Sequence, residues 1–427
     1  MANIVDDTVN IVILGGSFAG LSVAYGFLGK IDGHLPITRT APKYRVVMVS
    51  PSTHLYWNIS LPRALVSPEL IPHSKSFFSI IESFAKYPAS KFQFVQGAAI
   101  NVETTQRVVT VSLVGEPRDR RSRVLHLPTL DFRRSAKIYK PDRHTIPCPH
   151  VARGSSADSL LLFLNRRHER TIGAMSTFHI KLIDAGSVLI CGGGPSGCEI
   201  AGQLSIYFNE GLKGGRAEDG TPRQGKLSDM AKRLSQILSP VKSSSSGEDW
   251  LSRRPRIGRR NSSYSFLSRL SFPFTDRKHY KTPASEHKPK LINLISGNER
   301  LLTRFHPPSR KTPNRNFTLL ASMSSQELPS GKAKVILYND DILLVDCYTG
   351  ATGVKPNTSF LSPELRDASG YVSVDRTFPH VDRAGDRVYA IVDCATYSKN
   401  YALDIYDASP VLLYNLRNDL KAHELRR

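Results

Sequence analysis

The stretch that decides the fold is Val9–Leu14 (VNIVIL) followed at once by Gly15-Gly16-Ser17-Phe18-Ala19-Gly20, with Leu21–Leu28 reading as a helix beyond it. The first six residues are almost all apolar and largely β-branched, the pattern of a strand buried on both faces in a parallel sheet. Glycines after such a strand permit a tight turn and let backbone amides approach an anion at the positive end of the new helix. Gly15, Gly20 and the small Ala19 also let helix and strand pack closely. A strand, a glycine turn and a helix together predict a dinucleotide pyrophosphate cradle.

In such a unit the second strand ends in a residue that meets a ribose. Tyr44–Val49 (YRVVMV) is that strand, and it runs into Ser50-Pro51 rather than Glu or Asp. Ser50 retains a hydrogen bond there, weaker than one to a carboxylate. The segment from His54 to Val66 then sets aromatic residues beside Arg63, which reads either as a surface arginine or as one facing a cofactor.

The same pattern recurs. Ser187–Ile190 (SVLI) is a short buried strand, and Gly192, Gly194 and Gly197 follow with G-x-G-x-x-G spacing. Glu199 is expected in the first turn of the next helix, where the dipole favours an acid. Two such units are far more specific than one. The partner strand, Lys290–Ile295 (KLINLI), ends 103 residues after Gly192, where an ordinary βαβ unit takes about 30. The intervening segment is therefore an insertion. Ser296 stands where an acid would select NAD, and Arg300 is nearby, so either nicotinamide dinucleotide fits.

Charge supports that organisation. Of a formal net charge of +21, most lies in two stretches: 13 Lys/Arg against 5 Asp/Glu between Pro117 and Arg170, and 18 against 7 between Lys213 and Lys290. Ser243–Ser246 and the arginines from Arg253 to Arg260 read as low-complexity insertion, with a basic binding patch as the alternative. A hydrophobic fraction of 40% excludes a wholly disordered chain and a polytopic membrane protein. Ile11–Leu28 carries no charge over 18 residues but contains four glycines, and it follows Asp6 and Asp7 rather than a basic leader. Five cysteines without a C-x-x-C pair exclude a disulfide scaffold and a zinc ribbon and fit a reduced compartment. The histidines are scattered, so no metal site is predicted.

Toward the C-terminus, Val335–Tyr338 and Leu343–Tyr348 alternate like paired strands around an Asp340-Asp341 turn. Thr349–Asn357 is rich in small residues, Thr352 and Gly353 among them. Val388–Asp393 reads as a strand ending in a carboxylate, Asp393.

Together these residues resemble the two-dinucleotide-binding-domain flavoproteins, most closely the apoptosis-inducing-factor-like oxidoreductases near the type II NADH dehydrogenases, within the pyridine nucleotide-disulfide oxidoreductase superfamily. The matching pieces cover a little over half the chain. The resemblance implies an α/β fold with two Rossmann-like domains, the second inserted in the first, plus a smaller C-terminal α+β region. The implied boundaries are an FAD-binding part at 1–185 (irregular and basic over 117–170), an NAD(P)-binding domain at 186–330 holding the insertion 213–290, and a return to the FAD domain at 331–427. It implies FAD on Gly15, Gly16, Ser17, Phe18, Ala19 and Gly20, with Ser50 and Arg63 beside it and Asp393 on the ribityl chain. NAD(P)H as electron donor falls to Gly192, Gly194, Gly197 and Glu199, with Thr352 and Gly353 in a second loop.

The implied reaction passes a hydride from NAD(P)H to the flavin and on to a quinone-like or other small organic acceptor. No acid, base or nucleophile is nominated, because the cofactor carries the chemistry, and Cys191 and Cys198 read as packing residues. The expected setting is cytoplasmic, with peripheral membrane association allowed and no nucleic-acid partner. Three departures stand out: the Leu125–Ser156 region lacks the family's Asp-Tyr-Leu-Val-x-Ala-Thr-Gly-like motif, Val392 replaces the usual Gly before Asp393, and His306–Ser322 lacks the helix and strand completing the second unit. They favour, as the alternative, a catalytically impaired relative that acts as a binding protein.

Overall fold

The computed structural model describes residues 8–35, 43–115, 122–126, 167–210, 289–296, 317–318, 322–337, 339–375, 380–398 and 404–426. Its contacts divide the chain into two units, Met1–Thr177 with Gly353–Arg427, and Phe178–Thr352. The fold is mixed α/β, each unit carrying a sheet with parallel strands.

In chain order the first unit opens with β1 (Thr8–Leu14), α1 (Phe18–Gly26), β2 (Lys43–Ser50), β3 (His54–Tyr56), α2 (Leu61–Val66), β4 (Phe77–Ser79) and α3 (Ile80–Ser83). It continues with β5 (Phe92–Glu103), β6 (Val108–Leu113) and β7 (Ser122–His126). The sheet order is β1-β2-β5-β6-β7. β1, β2 and the first half of β5 are parallel. The second half of β5, past its pairing with β2, turns antiparallel to β6, with a register shift between Ala99 and Asn101. Such an irregularity bends a strand, so one long strand serves two kinds of partner. Val47, Val49, Val95, Ala99, Val109 and Val111 form the core beneath it, each buried valine contributing about 1.5–3 kcal/mol.

α4 (His168–Asp184) carries the chain into the second unit, which contains β8 (Ser187–Cys191), α5 (Pro195–Ser205), β9 (Leu291–Ile295) and β10 (Phe317–Thr318). Three further strands, β11 (Ser322–Glu327), β12 (Ala333–Leu337) and β13 (Ile342–Val345), form an antiparallel sheet, and β14 (Cys347–Gly350) returns to β8. The parallel order is β10-β9-β8-β14. Leu189, Cys191, Ile295, Val335, Leu337 and Val345 make one core across both sheets.

Lys290 was expected to open β9 but lies outside it: its N–H donates to Asn209 Oδ1 and its carbonyl accepts from Asn209 Nδ2, both at 2.9 Å, while its side chain serves α4. Its Nζ donates to the carbonyls of Ile183 (3.0 Å) and Ala185 (2.6 Å) and lies 4.6 Å from the Phe208 ring centroid. A cation on the last carbonyls of a helix complements its dipole.

The first unit closes with α6 (Asp404–Leu425), which packs on α1. A β-carbon on Gly26 would lie 2.2 Å from Leu413 Cδ1, so glycine leaves the space that this leucine side chain fills. Ser22 Oγ donates to Ser409 Oγ at 3.0 Å, and Tyr44 Oη donates to a buried Glu424 carboxylate oxygen at 2.8 Å. Among the described residues no helix is long and apolar enough to cross a membrane.

Several expectations are corrected. Leu343–Tyr348 is not one strand: it breaks at Asp346, whose carboxylate accepts the backbone N–H groups of Gly186 and Ser187 and the Ser187 hydroxyl. The stretch 117–170 is not wholly irregular, since Ser122–His126 pairs antiparallel with β6 and α4 begins at His168. His306–Ser322 does contain a strand element, Phe317–Thr318, paired parallel with Leu294–Ile295. Val388–Asp393 is not a strand. Tyr389 makes an isolated bridge to His380, and a 3-10 turn spans Val392–Cys394. The reason is at Val392: its φ of +61° leaves the extended region, and its N–H donates to Tyr397 Oη at 3.0 Å instead of to a ladder partner. The basic insertion lies outside the described residues over 211–288.

Candidate dinucleotide sites

In the first unit Gly15 has φ +117°, a conformation open to glycine, and its N–H donates to Val49 O at 2.9 Å. That bond ties the turn to the end of β2. A β-carbon on Gly20 would lie 1.9 Å from the Gly15 carbonyl oxygen, so the third glycine is required for α1 to approach the turn. Ser17 is the exposed N-cap, and its hydroxyl makes no capping bond. The first intrahelical bond is Leu21 N–H to Ser17 O at 2.9 Å, which leaves the N–H groups of Phe18, Ala19 and Gly20 ahead of it at the positive helix end.

Gly16 is buried against β2 and α3. A β-carbon there would meet Ile80 Cδ1 at 2.6 Å and Ser50 Oγ at 3.0 Å. Ser50, 4% exposed, therefore borders the glycine turn directly. Arg63 is exposed on α2. Asp393 is half-buried in the turn after Val392.

The second unit repeats this construction. Gly192 has φ +128° and donates its N–H to Ile295 O at 2.8 Å. A β-carbon on Gly197 would lie 1.9 Å from the Gly192 carbonyl oxygen. Gly194 is the N-cap of α5 and Pro195 its first residue, a position suited to proline because that N–H is unpaired anyway. The first intrahelical bond is Cys198 N–H to Gly194 O at 3.0 Å, ahead of which lie the N–H groups of Ser196 and Gly197.

The loop after β14 closes against this turn. A β-carbon on Gly192 would lie 2.1 Å from Ala351 O and 3.2 Å from Thr352 N. Thr352 thus joins the second site through its backbone. Gly353, with φ +106°, opens the returning half of the first unit.

Glu199 is a correction. α5 starts at Pro195, which puts Glu199 beyond the first turn, exposed and without the expected dipole role. Cys198 packs, donating Sγ–H to Gly193 O at 3.5 Å, and burial, aided by the Glu199 carboxylate, pushes its thiol up to about 11. Cys347 and Cys394 are likewise held up at about 11, chiefly by burial. A thiol so raised is neutral near pH 7 and a poor nucleophile.

Ile80 and Ala351 are site residues that the sequence reading missed. The small-residue run around Thr349–Gly353 signals the second. Nothing in sequence signals Ile80, whose place depends on α3 folding back beside Gly16.

No protein-family model matches the chain. It is 26% identical over 412 residues to the oxidoreductase phnG of Penicillium herquei, covering 96% of this chain and 80% of that protein. It is also 26% identical over 387 residues to the oxidoreductase ptaL of Pestalotiopsis fici, covering 90% and 76%. Among solved structures, the water-forming NADH oxidase of Lactobacillus brevis with NADH bound superposes with a TM-score of 0.54 at 12% identity, over 96% of this chain and 69% of that one. A ferredoxin reductase of Rhodopseudomonas palustris superposes with a TM-score of 0.53 at 14% identity, over 96% and 76%.

Proposed function

We propose that this chain, built on the fold shared by the pyridine nucleotide-disulfide oxidoreductases, is an FAD-dependent oxidoreductase that takes a hydride from NAD(P)H and delivers electrons to a quinone-like or other small organic acceptor. The observation that carries the reading is the duplicated turn. In both units the first glycine has positive φ and bonds to the neighbouring strand, and the third lies where a β-carbon would collide with the first glycine's carbonyl. One chain with two such cradles binds two dinucleotides, and an oxidoreductase needs a donor and a resident carrier.

The first cradle fits FAD. A β-carbon on Gly15 would meet no protein atom within 4 Å, and the first-turn amides of α1 face the same turn. Gly15–Gly20 would hold the pyrophosphate, Ser50 the adenosine ribose and the Asp393 carboxylate the ribityl hydroxyls. The chemistry a flavin supplies when bound is acceptance of hydride and its onward transfer as electrons. Gly192, Gly194 and Gly197, with the backbone of Ala351 and Thr352 beside Gly192, would position the nicotinamide dinucleotide. Glu199 is exposed and Arg63 lies on the surface of α2, so neither is given a part in transfer.

The test is the absorbance spectrum of the purified full chain, before and after anaerobic addition of NADPH or NADH. Flavin bands that bleach on addition support the reading. A colourless protein that takes up no added FAD overturns it in favour of the impaired, binding-only alternative. Val392 is the observation on that side, because a β-branched residue at φ +61° strains the turn that carries Asp393.

A further inference from the structure

Val392 has φ +61°, a region that β-branched residues avoid because the β-carbon crowds the backbone, and Asp393 follows it directly. A valine held there needs a restraint that a glycine does without. On the far side of Asp393 the chain is fixed by Val372: the Cys394 carbonyl accepts the Val372 N–H at 2.7 Å, and the Thr396 N–H donates to Val372 O at 3.1 Å. On the near side the restraint is a side chain. Tyr397 Oη accepts the N–H of the buried Val392 at 3.0 Å. Its neighbour Ser398 is anchored in turn, donating its N–H to Ala395 O at 3.1 Å and its Oγ to Asp404 Oδ2 at 3.0 Å, at the start of α6.

Without that bond a buried N–H is left unsatisfied and the valine is free to return toward extended backbone. A rotation at Val392 re-aims the carboxylate of the residue that follows. We infer that Tyr397 is a positioning residue of the FAD site: its hydroxyl holds Val392 in the positive-φ geometry that glycine adopts unaided, and so fixes how the Asp393 carboxylate is presented. The tyrosine thus supplies by a hydrogen bond what the missing glycine would supply by its lack of a β-carbon. This rests on the FAD reading of the first unit given above.

A double-mutant cycle on the full chain tests it without turnover, with Kd for FAD read from fluorescence quenching as flavin-depleted protein is titrated. Tyr397→Phe removes only the hydroxyl and should raise Kd about 10-fold. In the Val392→Gly background the same change should raise it about 2-fold or less, because glycine keeps the turn by itself. Equal weakening in both backgrounds would mark Tyr397 as merely structural and overturns the inference alone, as does a folded Tyr397→Phe protein with unchanged affinity. Should Tyr397→Phe not fold, recovery of folded, FAD-binding protein on adding Val392→Gly supports the inference, and no recovery overturns it. A folded wild type that binds no FAD overturns the inference together with the reading beneath it.

Discussion

The β-carbon that Gly197 lacks would lie 1.9 Å from the carbonyl oxygen of Gly192. That is well inside van der Waals contact, and the obstacle is backbone, which cannot swing aside as a side chain can. Gly197→Ala should therefore displace α5 from the turn and weaken NADP+ and NAD+ binding by at least 10-fold. Flavin content should stay at the wild-type level, because the first unit carries its own turn. Calorimetry and the ratio of visible to ultraviolet absorbance check both halves; a mutant with wild-type dinucleotide affinity removes the turn from the site.

Gly15 calls for a different argument. A β-carbon there meets no protein atom within 4 Å, but φ is +117°. Gly15→Val should thus strain the turn at about 1–3 kcal/mol and place a branched side chain where the pyrophosphate belongs. The expected outcome is protein that purifies nearly free of flavin. Full flavin occupancy in this mutant would contradict the assignment.

Val392 is buried at φ +61°, immediately before Asp393. Val392→Gly relieves a strain of about 1–3 kcal/mol and gives up a buried side chain of similar worth, so the thermal midpoint should move little. The gain should appear in the site: higher flavin content and faster NAD(P)H oxidation together. Unchanged flavin content would show that Val392 does not govern how Asp393 is presented.

The cysteines make a prediction about pH. Burial raises the Cys198, Cys347 and Cys394 thiols from an ordinary 9.0 to about 11. Between those values the unfolded chain has lost protons that the folded chain still holds, so stability falls as pH rises. The urea midpoint should be flat with respect to these groups below pH 9 and decline from pH 9 toward 11. Replacing the three cysteines by alanine should flatten that part of the profile, and at pH 8 iodoacetamide should leave all three unlabelled in the folded protein.

Lys290 donates to two carbonyls at the end of α4. Lys290→Met keeps the stem and removes both bonds, at a cost of about 1–3 kcal/mol. Urea unfolding should register the loss while flavin content remains unchanged. A midpoint equal to that of the wild type would mean that water replaces the ammonium without penalty.

The parts of this protein that sequence alone determined are those where local chemistry permits few solutions. Val9–Gly20 and Ser187–Gly197 declare a strand, a turn and a helix because only glycine tolerates the φ of Gly15 and Gly192 and the close approach at Gly20 and Gly197. Other features depend on partners distant in the chain, and only the tertiary structure decided them. Asp346 breaks an apparently continuous strand because Gly186 and Ser187 offer it three hydrogen bonds. Lys290 stays outside β9 because the Asn209 side chain takes both its backbone N–H and its carbonyl. Val392 turns a β-branched run out of extended geometry because its N–H is drawn to Tyr397. Ser50 and Ser296 read in sequence as missing acids. The tertiary structure places both at one equivalent position, each directly after the carbonyl that accepts a glycine-turn N–H, because in each unit the glycine strand runs parallel to its neighbour and its turn meets the neighbour's end.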